Sequence, residues 1–147
     1  MKKVLFICTG NSARSILAES ILNKIGKKKF KALSAGSHPN GVVHPETLKF
    51  LMKKNYLIKN LKSNSINEIL KLNPKIDYII TVCDNAAREG CPVLNYKGKQ
   101  IHWSIKDPVS EFIKTKKNIE FRNAYYELKN KILKFIKINE KYKKINM

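Results

Sequence analysis

One joint constrains this chain more than any other feature. The apolar, β-branched and aromatic run from Lys3 to Cys8 passes through Thr9-Gly10-Asn11-Ser12 into a stretch with Leu17, Ile21 and Ile25 at helical spacing, flanked by Ala18 and Leu22. The run reads as a buried strand, the four polar and small residues as a turn, and Ala13 to Lys27 as a helix closed by Gly26. A strand that feeds directly into a helix opens the strand–helix alternation of an α/β fold.

The rest of the sequence supports that beginning. Phe30 to Ser34 reads as a second strand ended by Gly36, and Ser37 to Val43 as a loop. Pro45 suits the first turn of a helix carrying Leu48, Leu51 and Met52. Ser65 with Glu68 three residues on is a capping-box pattern, so a short helix is expected over Ser65 to Leu70. Asp77 to Val82 and Gln100 to Ile105 read as strands, separated by a polar loop from Cys83 to Gly98. Phe121, Tyr125, Leu128, Ile132 and Phe135 mark an amphipathic helix over Asn118 to Lys144. Strands alternating with helices predict a parallel sheet covered on both faces, and 147 residues suit one domain over 1–147. Ligands in such folds bind beyond the carboxyl ends of the strands, where Cys8, Cys83 and the Asp107 loop all fall.

The turn after the first strand carries the chemistry. A loop entering a helix N-terminus turns several backbone N–H groups toward an anion. The same dipole favours a thiolate at Cys8. Gly10 is expected to supply backbone geometry closed to residues with a Cβ. Arg14 offers a bidentate fork for two oxyanion oxygens, which lysine lacks. Ser15 can donate a hydrogen bond to the thiolate. Thr9, Gly10, Asn11, Ser12, Ala13 and Arg14 are therefore the expected anion-binding set.

Composition narrows the alternatives. The net charge of +19 invites a nucleic-acid reading, yet arginine occurs only at Arg14, Arg88 and Arg122. Phosphate clamping and base readout favour arginine, and no interleaved aromatic and basic stripe is present, so nucleic acid is not the expected partner. Lysine, asparagine and isoleucine rising together look like a proteome-wide bias. No apolar run approaches the roughly 20 residues that cross a bilayer, and the run Val4 to Ile7 is too short for a signal peptide. A cytoplasmic protein without membrane association is expected, as a monomer. Three cysteines (Cys8, Cys83, Cys91) argue against a disulfide framework and leave metal, catalytic or redox use, or inert thiols. His38, His44 and His102 lie in separate segments, which disfavours zinc. Arg88 reads as a solvated loop residue and Trp103 as core packing.

Val4-Leu5-Phe6-Ile7-Cys8-Thr9-Gly10-Asn11-Ser12-Ala13-Arg14-Ser15, followed by Ala18-Glu19, resembles the low-molecular-weight protein tyrosine phosphatase superfamily, over nearly the whole chain. Thr81-Val82-Cys83-Asp84, Gly90-Cys91-Pro92-Val93 and His102-Trp103-Ser104 resemble more closely its thioredoxin-coupled arsenate reductase branch. The resemblance implies a three-layer sandwich with a central four-stranded parallel sheet flanked by helices. It implies that Cys8 attacks arsenate, that Cys83 and then Cys91 carry a thiol–disulfide relay, and that thioredoxin reduces the final disulfide. Asp107, ahead of Pro108, would be the general acid on a loop after strand four. Phosphate and sulfate would mimic the substrate. Some members bind potassium through positions matched here by Asn11, Glu19 and Ser34; an acidic partner appears replaced near Lys62-Ser63-Asn64, where a lysine ammonium could take the ion's place, so no cofactor is expected.

Two other classes stay open at this point. A phosphatase would need only Cys8, Arg14 and Asp107, and its kind usually carries aromatic residues around the pocket. A basic binding protein would be indifferent to Cys8→Ser and would bind nucleic acid in a salt-sensitive way.

Overall fold

The structure, a computed structural model, describes residues 1–73, 75–84 and 98–145. Cys91 and Arg88, which the sequence singles out, lie outside the described residues. Four strands, β1 (Lys2–Cys8), β2 (Phe30–Gly36), β3 (Tyr78–Thr81) and β4 (Lys99–His102), form one parallel sheet in the order β2-β1-β3-β4. Five helices surround it among the described residues: α1 (Arg14–Ile25), α2 (Pro45–Lys53), α3 (Ile66–Leu72), α4 (Pro108–Thr115) and α5 (Ile119–Ile145).

The central strand explains the layers. Val4 to Cys8 are all buried, so both faces of β1 are covered, as a parallel sheet requires. Val4, Phe6 and Cys8 point to a core shared with Ile16, Leu17 and Ile21 of α1 and with Leu128 and Ile132 of α5. Leu5 and Ile7 point the other way, onto Ile66 and Ile69 of α3. Burying one such side chain contributes about 1.5–3 kcal/mol. Trp103 packs on this core, with Phe6 and Phe135 at ring centroid distances of 6.1 and 6.4 Å.

Element boundaries differ from expectation where pairing partners run out. The fourth strand begins at Lys99 and ends at His102 rather than running from Gln100 to Ile105. Trp103 N–H still donates to Thr81 O (2.8 Å) and Ile105 N–H to Cys83 O (3.3 Å), so the chain follows β3 without a regular ladder. The third strand is shorter than Asp77 to Val82, although Val82 N–H donates to Ile7 O at 2.8 Å. The Ser65 cap is present: its side chain accepts from Glu68 N–H, and α3 continues to Leu72. Helix α4 is an addition. Asp107-Pro108 opens a helix rather than lying within a loop, because Asp107 caps it and Pro108 sits in its first turn.

The parallel register brings the functional residues to one edge. Cys8 stands opposite Gly36 and Ile7 opposite Thr81, so Cys83 lies one residue past the level of Cys8 on the neighbouring strand. The segment leading to Asp107 leaves the same edge after β4.

Candidate active site

Cys8 ends β1, is only 2% exposed, and is a free thiol. Its Sγ lies 2.9 Å from Ser15 Oγ and accepts from Asn11 N–H at 3.2 Å. These two contacts fix the position of the sulfur at the floor of the loop. Behind Ser15 the network continues inward. Asn11 Nδ2 donates to Ser15 Oγ (2.7 Å) and to Ser34 Oγ (3.0 Å), and Ser34 Oγ donates to Glu19 Oε1 (2.7 Å). Asn64 N–H donates to Asn11 Oδ1 at 2.7 Å. Burial pushes the Glu19 carboxyl up to about 7, against the lowering effect of its hydrogen bonds with Ser34.

The loop's carbonyls show why its amides can hold an anion. Ser37 N–H donates to Cys8 O, His38 N–H to Thr9 O, and Asn40 N–H to Gly10 O. Ser63 Oγ adds a second bond to Gly10 O. His44 N–H and Thr47 Oγ1 both donate to Ser12 O. In a trans peptide each carbonyl points opposite to the next residue's N–H. A collar of outside donors on Cys8, Thr9, Gly10 and Ser12 therefore turns the N–H groups of Thr9, Gly10, Asn11 and Ala13 away from the collar, and the Asn11 N–H is seen on Cys8 Sγ. Ala13 is the N-cap of α1 and makes no side-chain capping bond, so the first turn of that helix keeps its dipole for a ligand.

Two expectations about this loop change. Gly10 does not have a positive φ; the residue in the left-handed region is Asn11 at φ 46°. A Cβ at Gly10 would lie 2.7 Å from the amide nitrogen of the exposed Asn40 side chain, which would have to move aside. Asn11 also does not line the cavity with its neighbours. It sits fully buried behind Cys8, where its side chain braces the loop. An asparagine tolerates the left-handed region better than most residues, which is the signal the sequence carried.

The cavity over the thiol has a volume of about 310 Å³. Its floor is Cys8, Thr9, Gly10, Ser12, Ala13 and Arg14. Arg14 is 4% exposed; its Nη1 donates to Ile105 O at 3.1 Å, and its Nη2 lies 3.9 Å from Asp107 Oδ2. Asp107 is about one-third exposed, and its other oxygen accepts from Val109 N–H at 3.0 Å. Asp107, Val109, His38 and Asn40 complete the lining; the sequence did not single out the last three. Cys83 is fully buried after β3. A nucleophilic thiol, a cup of amides, a guanidinium and a carboxyl converge on one small space, as transfer chemistry on a tetrahedral oxyanion requires.

The family model described as low molecular weight phosphotyrosine protein phosphatase matches residues 3–145. The chain belongs to this family. Arsenate reductase 1 of Staphylococcus saprophyticus is 35% identical over 135 residues, covering 91% of this chain and 95% of the relative. The crystal structure of the arsenate reductase of Archaeoglobus fulgidus is similar with a TM-score of 0.76 at 27% identity, covering 90% of this chain and 98% of that one. An arginine phosphatase of Geobacillus stearothermophilus gives a TM-score of 0.78 at 17% identity over 100% of this chain and 98% of its own, a likeness of fold alone. The phosphatase fold of this family is thus the fold of the chain, with the four-stranded parallel sheet at its centre. Among the described residues no helix is long and apolar enough to cross a membrane, and no group of three or more His, Cys, Asp or Glu is placed to hold a metal ion.

Proposed function

We propose that this protein reduces arsenate to arsenite through Cys8, Cys83 and Cys91, and that thioredoxin recycles it. The observation that carries the reading is a cradled Cys8 with Cys83 two residues beyond the adjacent strand, at the same sheet edge, in a chain whose 35% identical relative is an arsenate reductase. The Cys8 thiolate attacks arsenic, and an oxygen leaves as water after Asp107 gives up its proton. Loop amides and Arg14 hold the remaining oxygens. Cys83 thiolate then attacks Cys8 Sγ. The S–As bond breaks, its electron pair goes to arsenic, and arsenic(V) becomes arsenic(III) as the Cys8–Cys83 disulfide forms. Cys91 thiolate attacks Cys83 Sγ and releases Cys8, leaving a Cys83–Cys91 disulfide for the dithiol of thioredoxin to reduce.

This reading includes no resident cation. The protein acts as a cytoplasmic monomer in this reading, with arsenate as substrate and phosphate and sulfate as competitors. Hydrolysis of phosphate esters through Cys8, Arg14 and Asp107 is a side activity, because arsenate and phosphate have nearly the same shape.

The test is arsenate-dependent NADPH oxidation with thioredoxin and thioredoxin reductase, beside Cys83→Ser. Activity that disappears in the variant is expected. Equal activity in both would overturn the relay; no activity in either, with p-nitrophenyl phosphate hydrolysed by both, would favour the phosphatase.

A further inference from the structure

The lining of the cavity changes character from floor to rim. His38 and Asn40 come from the segment after β2 that forms the collar of the loop. Their backbones are fixed to the loop itself, His38 N–H on Thr9 O at 2.8 Å and Asn40 N–H on Gly10 O at 2.9 Å. Both residues are solvent-exposed and line the cavity. The Asn40 carboxamide rests against the Gly10 Cα, close enough to leave no room for a Cβ, and makes no hydrogen bond among the described residues. The His38 Nδ1 lies 3.3 Å from Ser37 Oγ. In the tautomer whose Nδ1 accepts from that hydroxyl, the imidazole proton is on Nε2 and is available as a donor. No Phe, Tyr or Trp lines the cavity among the described residues.

We propose that His38 and Asn40 form a polar lip that selects free tetrahedral oxyanions over organic phosphate esters. The proposal rests on the arsenate reductase reading for its substrate class. An oxyanion seated on the loop amides and Arg14 still presents an oxygen toward the rim. There the carboxamide and the imidazole can donate to it. An ester places carbon at the same position. Both side chains then lose water without gaining a hydrogen-bond partner, and among the described residues no Phe, Tyr or Trp lines the cavity to stack on an aryl group. The lip thus sets specificity, while the floor sets affinity for the shared tetrahedral core.

The probes are inorganic phosphate and phenylphosphonate, neither of which is turned over. Binding of each is read as protection of Cys8 from iodoacetamide, with the labelled Cys8 peptide quantified by mass spectrometry. The double variant His38→Ala with Asn40→Ala is expected to bind phosphate about tenfold more weakly, from two lost hydrogen bonds. Its preference for phosphate over phenylphosphonate should fall by about fivefold or more. Replacing His38→Ala by His38→Gln in that double variant, which restores an N–H donor, should recover part of the preference. Parallel loss for both probes would mean that the segment only braces the loop, and unchanged preference would mean that the lip is idle; either result overturns the proposal. The assay needs no reductase turnover. A preference that shifts in a protein inactive toward arsenate would retain the lip and sink the arsenate reading, whereas an active reductase with unmoved preference would sink the lip alone.

Discussion

Four carbonyls of the anion loop, those of Cys8, Thr9, Gly10 and Ser12, are each tied from outside by at least one donor. The Asp107 carboxylate, by contrast, is held by one backbone N–H and by an Arg14 nitrogen 3.9 Å away. The loop is packed between β1, α1 and the collar, whereas Asp107 starts an eight-residue helix and is one-third exposed. Under the proposed mechanism the contrast matches what each would do. An electrostatic cradle acts without reorganising only if its dipoles are fixed beforehand. A general acid must reach an oxygen whose position shifts during bond breaking, so a capped, short helix with a partly solvated carboxyl suits it.

The largest expected effect breaks the comparison at its looser side. Asn caps a helix about as well as Asp, so Asp107→Asn keeps α4 and removes the proton. Arsenate turnover should fall by about 10²–10⁴-fold, while the unfolding free energy from urea titration stays within about 0.5 kcal/mol of the parent. A loss of stability matching the loss of activity would make Asp107 a cap first and an acid second.

On the stiff side the key residue is Asn11, which combines φ 46° with bonds to Ser15, Ser34 and Asn64. Asn11→Ala should cost about 2–4 kcal/mol in urea unfolding, from a strained backbone and lost buried bonds. Asn11→Gly relieves the strain and loses the same bonds, so the gap between the two variants measures the backbone's share. If neither variant loses stability, the cradle is held by the collar alone.

The strand–loop–helix joint was legible because burial on both faces, a change of period from two to 3.6, and turn residues all coincide between Lys3 and Ile25. The roles of Cys8, Arg14 and Ser15 followed from the same joint, since a helix N-terminus fixes where their heads must go. Helix α4 was missed although Asp107, Pro108 and Glu111 form a helix-start signature. The Asp-Pro pair was read for chemistry, and its capping role was overlooked. The collar was not legible at all. His38, Asn40, Ser63 and Thr47 reach the loop through backbone amides and hydroxyls from separate segments, and such bonds leave no periodic trace in sequence. Gly10 shows the same limit: its close neighbour is the Asn40 side chain, thirty residues away, and its own φ is not positive.

The smallest effect concerns Glu19, the inner end of the chain that runs through Ser34, Asn11 and Ser15 to Cys8. Its carboxyl rises from the ordinary 4.5 to about 7, mainly through burial. Between those values the folded protein keeps the proton and the unfolded chain releases it, so stability must fall as pH rises from about 4.5 to 7. Glu19→Gln removes that dependence. Relative to the parent, the variant should gain on the order of 2 kcal/mol over this window, a figure reduced for the partial exposure of the side chain. Urea unfolding at several pH values measures it. A flat difference would mean that Glu19 is ionised throughout, with its charge balanced by a cation; the same titrations in potassium and in sodium chloride would then separate a bound ion from general screening. In that case the stiffness of the cradle would depend on an ion as well as on the collar.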